Sequence, residues 1–171
     1  AKKLHKLLLF IGFKNENIIK RNSVNWKLNL SEGIDLSIFI FGSFQGKVVK
    51  SIVKIINDLN KKQNNYFNII DVGSNIGDKS LLLSSKLINL GIKNFKIFSI
   101  EPTDYAFKKQ TININLNKTL KKKISLFKYF ISNKKNKPKK TYSSWKLNSN
   151  QNTHKIHKGT LKEINELTKN I

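Results

Sequence analysis

At 171 residues with 39% hydrophobic side chains, the chain is long enough for one domain with its own core, and the absence of cysteine excludes disulfides and thiolate metal sites. A formal net charge of +23 points towards nucleic acid or an anionic surface. Yet only Arg21 among the 33 basic residues is an arginine, the side chain whose planar fork suits bidentate phosphate and base recognition. Lysine, asparagine and isoleucine are abundant together along the whole chain, as in Asn64-Asn65 and Lys121-Lys122-Lys123. That pattern reads as lysines dispersed over a solvated surface and argues against a dedicated nucleic-acid face.

The start, Lys2 to Phe13, imitates a signal peptide, but its apolar run is short and no small-residue cleavage site follows. Leu4, Leu7, Leu8 and Ile11 fall at helical spacing and predict an amphipathic packing helix. No segment approaches the ~20 apolar residues that span a bilayer, so the expectation is a soluble, cytoplasmic protein without a membrane span. Val24, Trp26, Leu28 and Leu30 alternate with polar residues, and Ile34, Leu36, Ile38 and Ile40 do so again after Ser31-Glu32-Gly33. The two runs predict a hairpin of strands. Ile52, Ile55, Ile56 and Leu59 predict a helix ended by the polar run Asn60 to Asn65. Residues 1–65 thus form an α+β cap. The histidines, His5, His154 and His157, have no neighbouring carboxylates in sequence, and no metal site is expected.

From residue 66 to 171 the pattern changes to strand and helix in alternation. Phe67 to Val72 predicts a strand, Gly77 to Leu90 a helix with Gly91 at its C-cap, and Phe95 to Ile100 a second strand. Thr103 to Asn117 predicts a helix capped by Thr103 or Asp104, and Ile124 to Ile131 a third strand. Such alternation implies βαβ units, a parallel sheet and an α/β fold of Rossmann-like type. Lys134 to Lys140 reads as a polar loop, Tyr142 to Leu147 as a small strand and Leu161 to Leu167 as a last helix. Three parallel strands make a thin sheet, so the domain is expected to be incomplete after the third strand, as part of a longer protein.

The stretch "IIDVGSNIGDKS" places Gly73 and Gly77 at the first strand-to-helix turn, where an open α/β sheet brings backbone close to a ligand. Gly73 permits a sharp bend and Gly77 a close approach, and free N–H groups at the helix start favour an anionic ligand group. The spacing G-x-x-x-G matches neither the dinucleotide fingerprint nor a phosphate loop. Glu101 stands directly after the second strand, where a carboxylate can accept from both hydroxyls of a ribose, and Pro102 fixes the backbone beside it. An adenosine-bearing cofactor with a small anionic group and no pyrophosphate fingerprint describes S-adenosylmethionine.

"IIDVGSNIGDKS", "FSIEPTDYAF" and the asparagines of "TININLN", in this order and spacing, resemble the FkbM family of S-adenosylmethionine-dependent methyltransferases. The upstream "WKLNLSEGIDLSIFIFGSFQ" is similar to the segment that family places before its first strand, except that Gln45 stands where glutamate is common. The resemblance implies a class I methyltransferase fold. It also implies that Asp71, Gly73, Ser74, Asn75 and Gly77 line the methionine end of the cofactor. Glu101 then holds the ribose beside Pro102, and Ser132 is a candidate for the adenine edge. It further implies a saccharide or small-metabolite hydroxyl as acceptor. The acidic motif that the family carries on a fourth strand is absent, so no general base can be named.

Two rival readings stand beside this one. The chain could be a basic nucleic-acid-binding module or RNA methyltransferase using the loops around Lys121–Lys123 and Lys134–Lys140, or an inactive fragment that only binds cofactor.

Overall fold

The computed structural model describes residues 2–63, 65–131, 140–143 and 152–155. Helix α1 (Lys2–Phe10) forms as its spacing predicts, but it buries His5 and Leu8 while Leu7 and Ile11 stay exposed. The apolar stripe is therefore not the packed face. His5 instead pairs with Asn15 Oδ1 at 2.8 Å, which satisfies its buried ring nitrogen.

A hairpin follows, but not the predicted one. Strand β1 (Glu16–Arg21) pairs antiparallel with β2 (Val24–Asn29) across the two-residue turn Asn22-Ser23. Both turn residues have positive φ, 51° and 61°, the geometry whose twist matches a two-residue hairpin. The alternation of β2 is real: Val24, Trp26 and Leu28 are buried, and Leu30 continues the face. The segment predicted as its partner, Ile34 to Ile40, is instead helix α2 (Gly33–Phe41). It buries Ile34, Asp35, Leu36, Ile38 and Phe39, so burial does not alternate along it. A segment apolar on nearly every side is a core helix, and Gly42 stops it with φ 77° and an N–H donated to Ile38 O.

Helix α3 (Gly46–Lys62) runs into the stretch predicted as a loop, burying Val49 and Ile56. The parallel unit then matches its prediction closely: β3 (Phe67–Val72), α4 (Asp78–Asn89), β4 (Phe95–Ile100) and α5 (Asp104–Asn115). A short helix α6 (Lys118–Lys121) precedes β5 (Ile124–Phe127), which ends four residues before the predicted Ile131. The sheet order is β3-β4-β5, all parallel. A separate antiparallel pair joins β6 (Lys140–Ser143) to β7 (Asn152–Lys155); β6 includes the first two residues of the small strand expected at Tyr142–Leu147, and the other four lie outside the described residues. The helix predicted at Leu161–Leu167 lies outside the described residues.

One core joins the hairpin to the sheet. Trp26, Leu28, Leu30 and Ile38 cluster with Leu81, Leu87, Phe95, Ile97 and Ile114, and each such buried side chain contributes about 1.5–3 kcal/mol. Backbone pairing is completed in an unusual way along the outer edge of β2. The N–H groups of Asn25, Lys27 and Asn29 donate to the side chains of Asn117 (2.8 Å), Asn113 (2.8 Å) and Asp35 (2.6 Å). Three side-chain acceptors at alternate positions thus seal a strand edge that would otherwise carry unpaired donors. Among the described residues, no single helix is long and apolar enough to cross a membrane.

Candidate functional site

The parallel register sets Val72 opposite Ile100, so Gly73 and Glu101 leave the sheet side by side at the carboxyl ends of β3 and β4. Gly73 and Ser74 both donate their N–H to Ile100 O, at 2.9 and 3.0 Å, which folds the turn back over the end of β4. Gly73 (φ 73°), Asn75 (φ 50°) and Gly77 (φ 83°) take left-handed backbone within five residues. A side chain at Gly73 would meet open space, whereas one at Gly77 would meet Gln110 Cγ at 3.1 Å. The two glycines therefore do different things: the first faces outward and the second is pressed against α5.

Glu101, only 6% exposed, closes the other side. Its Oε2 accepts the Asn75 N–H at 3.0 Å, and its Oε1 accepts both the N–H (2.9 Å) and the hydroxyl (2.6 Å) of Thr103. Thr103 occupies the N-cap position of α5, but its hydroxyl serves Glu101 and not the helix. The carboxylate is thus a brace between strand end and turn. Pro102, half-buried, stands in the chain between Glu101 and Thr103.

Beneath the turn lies a buried polar chain that the sequence did not reveal. Asp71 Oδ2 accepts from the Ser80 hydroxyl at 2.7 Å, Ser80 meets Ser99 Oγ at 2.7 Å, and Gln110 Nε2 donates to Ser99 (2.5 Å) and Ser74 (2.6 Å). It threads β3, α4, β4 and α5 in one network. Gln110 could have been found from spacing, since it shares the inward face of α5 with Ala106, Asn113 and Ile114.

Of the N–H groups expected to favour an anion here, four in the turn itself are already engaged. The N–H groups of Gly73, Ser74, Asn75 and Gly77 all have partners within the protein. Asp78, 1% exposed, adds a carboxylate to the first turn of α4 with neither oxygen hydrogen-bonded and Lys79 Nζ at 4.0 Å. Burial raises its pKa to about 6, opposed by Lys79 and reinforced by Asp71. In a chain of net charge +23, the turn is locally acidic, flanked by Asp71, Asp78 and Glu101. Such surroundings suit a cationic or hydroxyl-bearing ligand more than a phosphate.

Asp71, Gly73, Ser74, Asn75, Gly77, Glu101 and Pro102 accordingly lie together around one turn, while Ser132 lies outside the described residues. Ser74 and Asp71 use their side chains inward, in the network.

A second polar cluster, also missed from sequence, ties α2 to α5. Lys109 Nζ contacts Glu32 Oε2 at 2.9 Å and Asp35 Oδ2 at 2.5 Å, and the Tyr105 hydroxyl donates to Glu32 Oε1. Burial holds the Asp35 pKa up at about 6 against the lowering effect of Lys109, and burial together with the Glu32 carboxylate pushes the Tyr105 hydroxyl up. A cleft of about 270 Å³ opens beside it, lined by Glu16, Lys27, Leu28, Tyr105, Lys108 and Ile112, and shares no residue with the glycine turn.

No described protein family and no curated protein matches the chain. It is similar in structure to a Pyrococcus horikoshii protein provisionally assigned as a transferase, at 19% identity and a TM-score of 0.43. The similarity covers 67% of this chain and 36% of that one, so the chain spans little more than a third of that protein's length.

Proposed function

We propose that the chain is an S-adenosylmethionine-dependent methyltransferase resembling the FkbM family, with a class I methyltransferase fold, acting on a hydroxyl of a saccharide or small metabolite. The observation that carries the reading is the brace itself: a strand-end carboxylate, Glu101, bonded at 3.0 Å to a left-handed glycine turn at the end of the adjacent parallel strand. The residues fit the cofactor. Gly73 leaves open space where a side chain would stand, and among the described residues Glu101 Oε2 accepts one of the two hydrogen bonds a carboxylate oxygen can take, which leaves a lone pair for a ribose hydroxyl. The acidic surroundings complement a sulfonium and an ammonium group.

In this reading Asp71, Gly73, Asn75 and Gly77 flank the methionine end, Glu101 receives the ribose and Pro102 borders the base. The cofactor supplies a methyl group already activated by its sulfonium. The protein's share is to orient that group in line with an acceptor oxygen and to exclude water. Dispersed lysines, one arginine and no base-reading motif give the nucleic-acid reading no comparable site. Isothermal calorimetry tests the proposal: the wild-type chain binds S-adenosylmethionine and Glu101→Ala binds it measurably more weakly. Absence of binding to the folded wild-type protein overturns it.

A further inference from the structure

We infer that Asn113 is a positioning residue that makes the β1–β2 hairpin a support for the glycine turn. The part of this inference that concerns cofactor affinity rests on the function proposed above; the mechanical part does not.

Asn113 is fully buried and its single amide has two partners on different elements. Oδ1 accepts the Lys27 N–H of β2 at 2.8 Å, and Nδ2 donates to the Ile76 carbonyl, inside the turn, at 3.3 Å. Lys27 N–H can only donate and Ile76 O can only accept, so only one orientation of the amide satisfies both. The turn needs such support at Asn75, a non-glycine residue whose left-handed backbone (φ 50°) persists only where its surroundings hold it. Gln110 braces the same turn from α5, and among the described residues Asn113 is the one that carries the support through to the hairpin.

Asn117, one helical turn further on, provides an internal control. It binds the same strand edge, accepting Asn25 N–H at 2.8 Å and donating to Asn25 O at 2.7 Å, yet its remaining bond is to Asn113 O and none goes to the turn. Loss of Asn117 therefore weakens the hairpin dock without releasing Ile76 directly.

Hydrogen exchange across residues 73–77, measured without cofactor, separates the two roles. Asn113→Asp keeps the acceptor for Lys27 but sets a carboxylate oxygen against the Ile76 carbonyl. It is expected to speed exchange of these amides about tenfold, the worth of one buried hydrogen bond, and to weaken S-adenosylmethionine binding by a similar factor. Asn117→Ala is expected to lower the thermal midpoint while leaving exchange at 73–77 as in the wild type. Should Asn113→Asp fail to fold, Asn113→Ala compared with Asn117→Ala makes the same distinction. Unchanged exchange in the Asn113 variants, or equal acceleration in Asn117→Ala, overturns the positioning role. A wild-type chain that does not bind S-adenosylmethionine overturns the cofactor reading, and the exchange result then decides the mechanical coupling by itself.

Discussion

Glu101 and Asn75, 26 residues apart in sequence, meet through a 3.0 Å hydrogen bond in which a buried carboxylate oxygen accepts a backbone N–H from left-handed backbone. The bond joins β4 to the turn after β3. Replacing Glu101 with Ala leaves that N–H and the Thr103 donors without their acceptor, at a cost of about 1–3 kcal/mol. Glu101→Gln retains one acceptor oxygen and is expected to lose less. Urea denaturation of the two variants checks the order, which would be reversed or absent if the carboxylate did not brace the turn.

The two glycines of the turn are expected to differ. Gly77→Ala combines left-handed strain of roughly 1–2 kcal/mol with a Cβ pressed to 3.1 Å from Gln110 Cγ. Gly73→Ala meets the same backbone strain with no atom in the way. Thermal unfolding should therefore show the larger loss for Gly77→Ala, while cofactor binding should be the more sensitive readout for Gly73→Ala.

Asp78 predicts a pH dependence. Burial raises its pKa from 3.8 to about 6, so between those values the native protein holds a proton that the unfolded chain has released. Stability from this group is fully present below the unfolded value and is lost as the pH rises through about 6, on the order of 2–3 kcal/mol at most. Asp78→Asn should raise the urea midpoint near neutral pH and leave it little changed near pH 4. An equal shift at both values would contradict the assignment.

Among the described residues, Lys109 is the cation that pairs with both buried carboxylates, Glu32 and Asp35. Lys109→Ala leaves both without it and is expected to cost about 3–5 kcal/mol, a much larger loss than removal of an exposed lysine such as Lys108. Denaturant midpoints for the two variants provide the comparison.

The parallel unit was legible because each of its strands is a short apolar run ended by Gly73, Glu101 or a polar segment, and strand and helix lengths differ enough to separate them. The cap was harder. Ile34, Leu36, Ile38 and Ile40 imitate a strand, and only the intervening Phe39 and the stop at Gly42 betray a helix buried on several sides. Strand β1 escaped notice because its half-buried face carries only Ile19 beside Asn17, while Ile18 is exposed, and its turn is Asn-Ser, not Asn-Gly. At the candidate site, the glycines and Glu101 could be named from their positions at strand ends. Spacing puts Gln110 and Asn113 on the inward face of α5, but their roles, like those of Ser80 and Ser99, come from partners that only the tertiary fold brings near.

The most direct test of the central claim maps the ligand onto the chain. Titration of ¹⁵N-labelled protein with S-adenosylmethionine, followed by amide chemical shifts, is predicted to perturb Gly73 to Gly77 and Glu101 to Thr103 first and most. Shifts centred on the cleft between the hairpin and α5, around Lys27, Tyr105 and Lys108, or no shifts at saturating ligand, would contradict it.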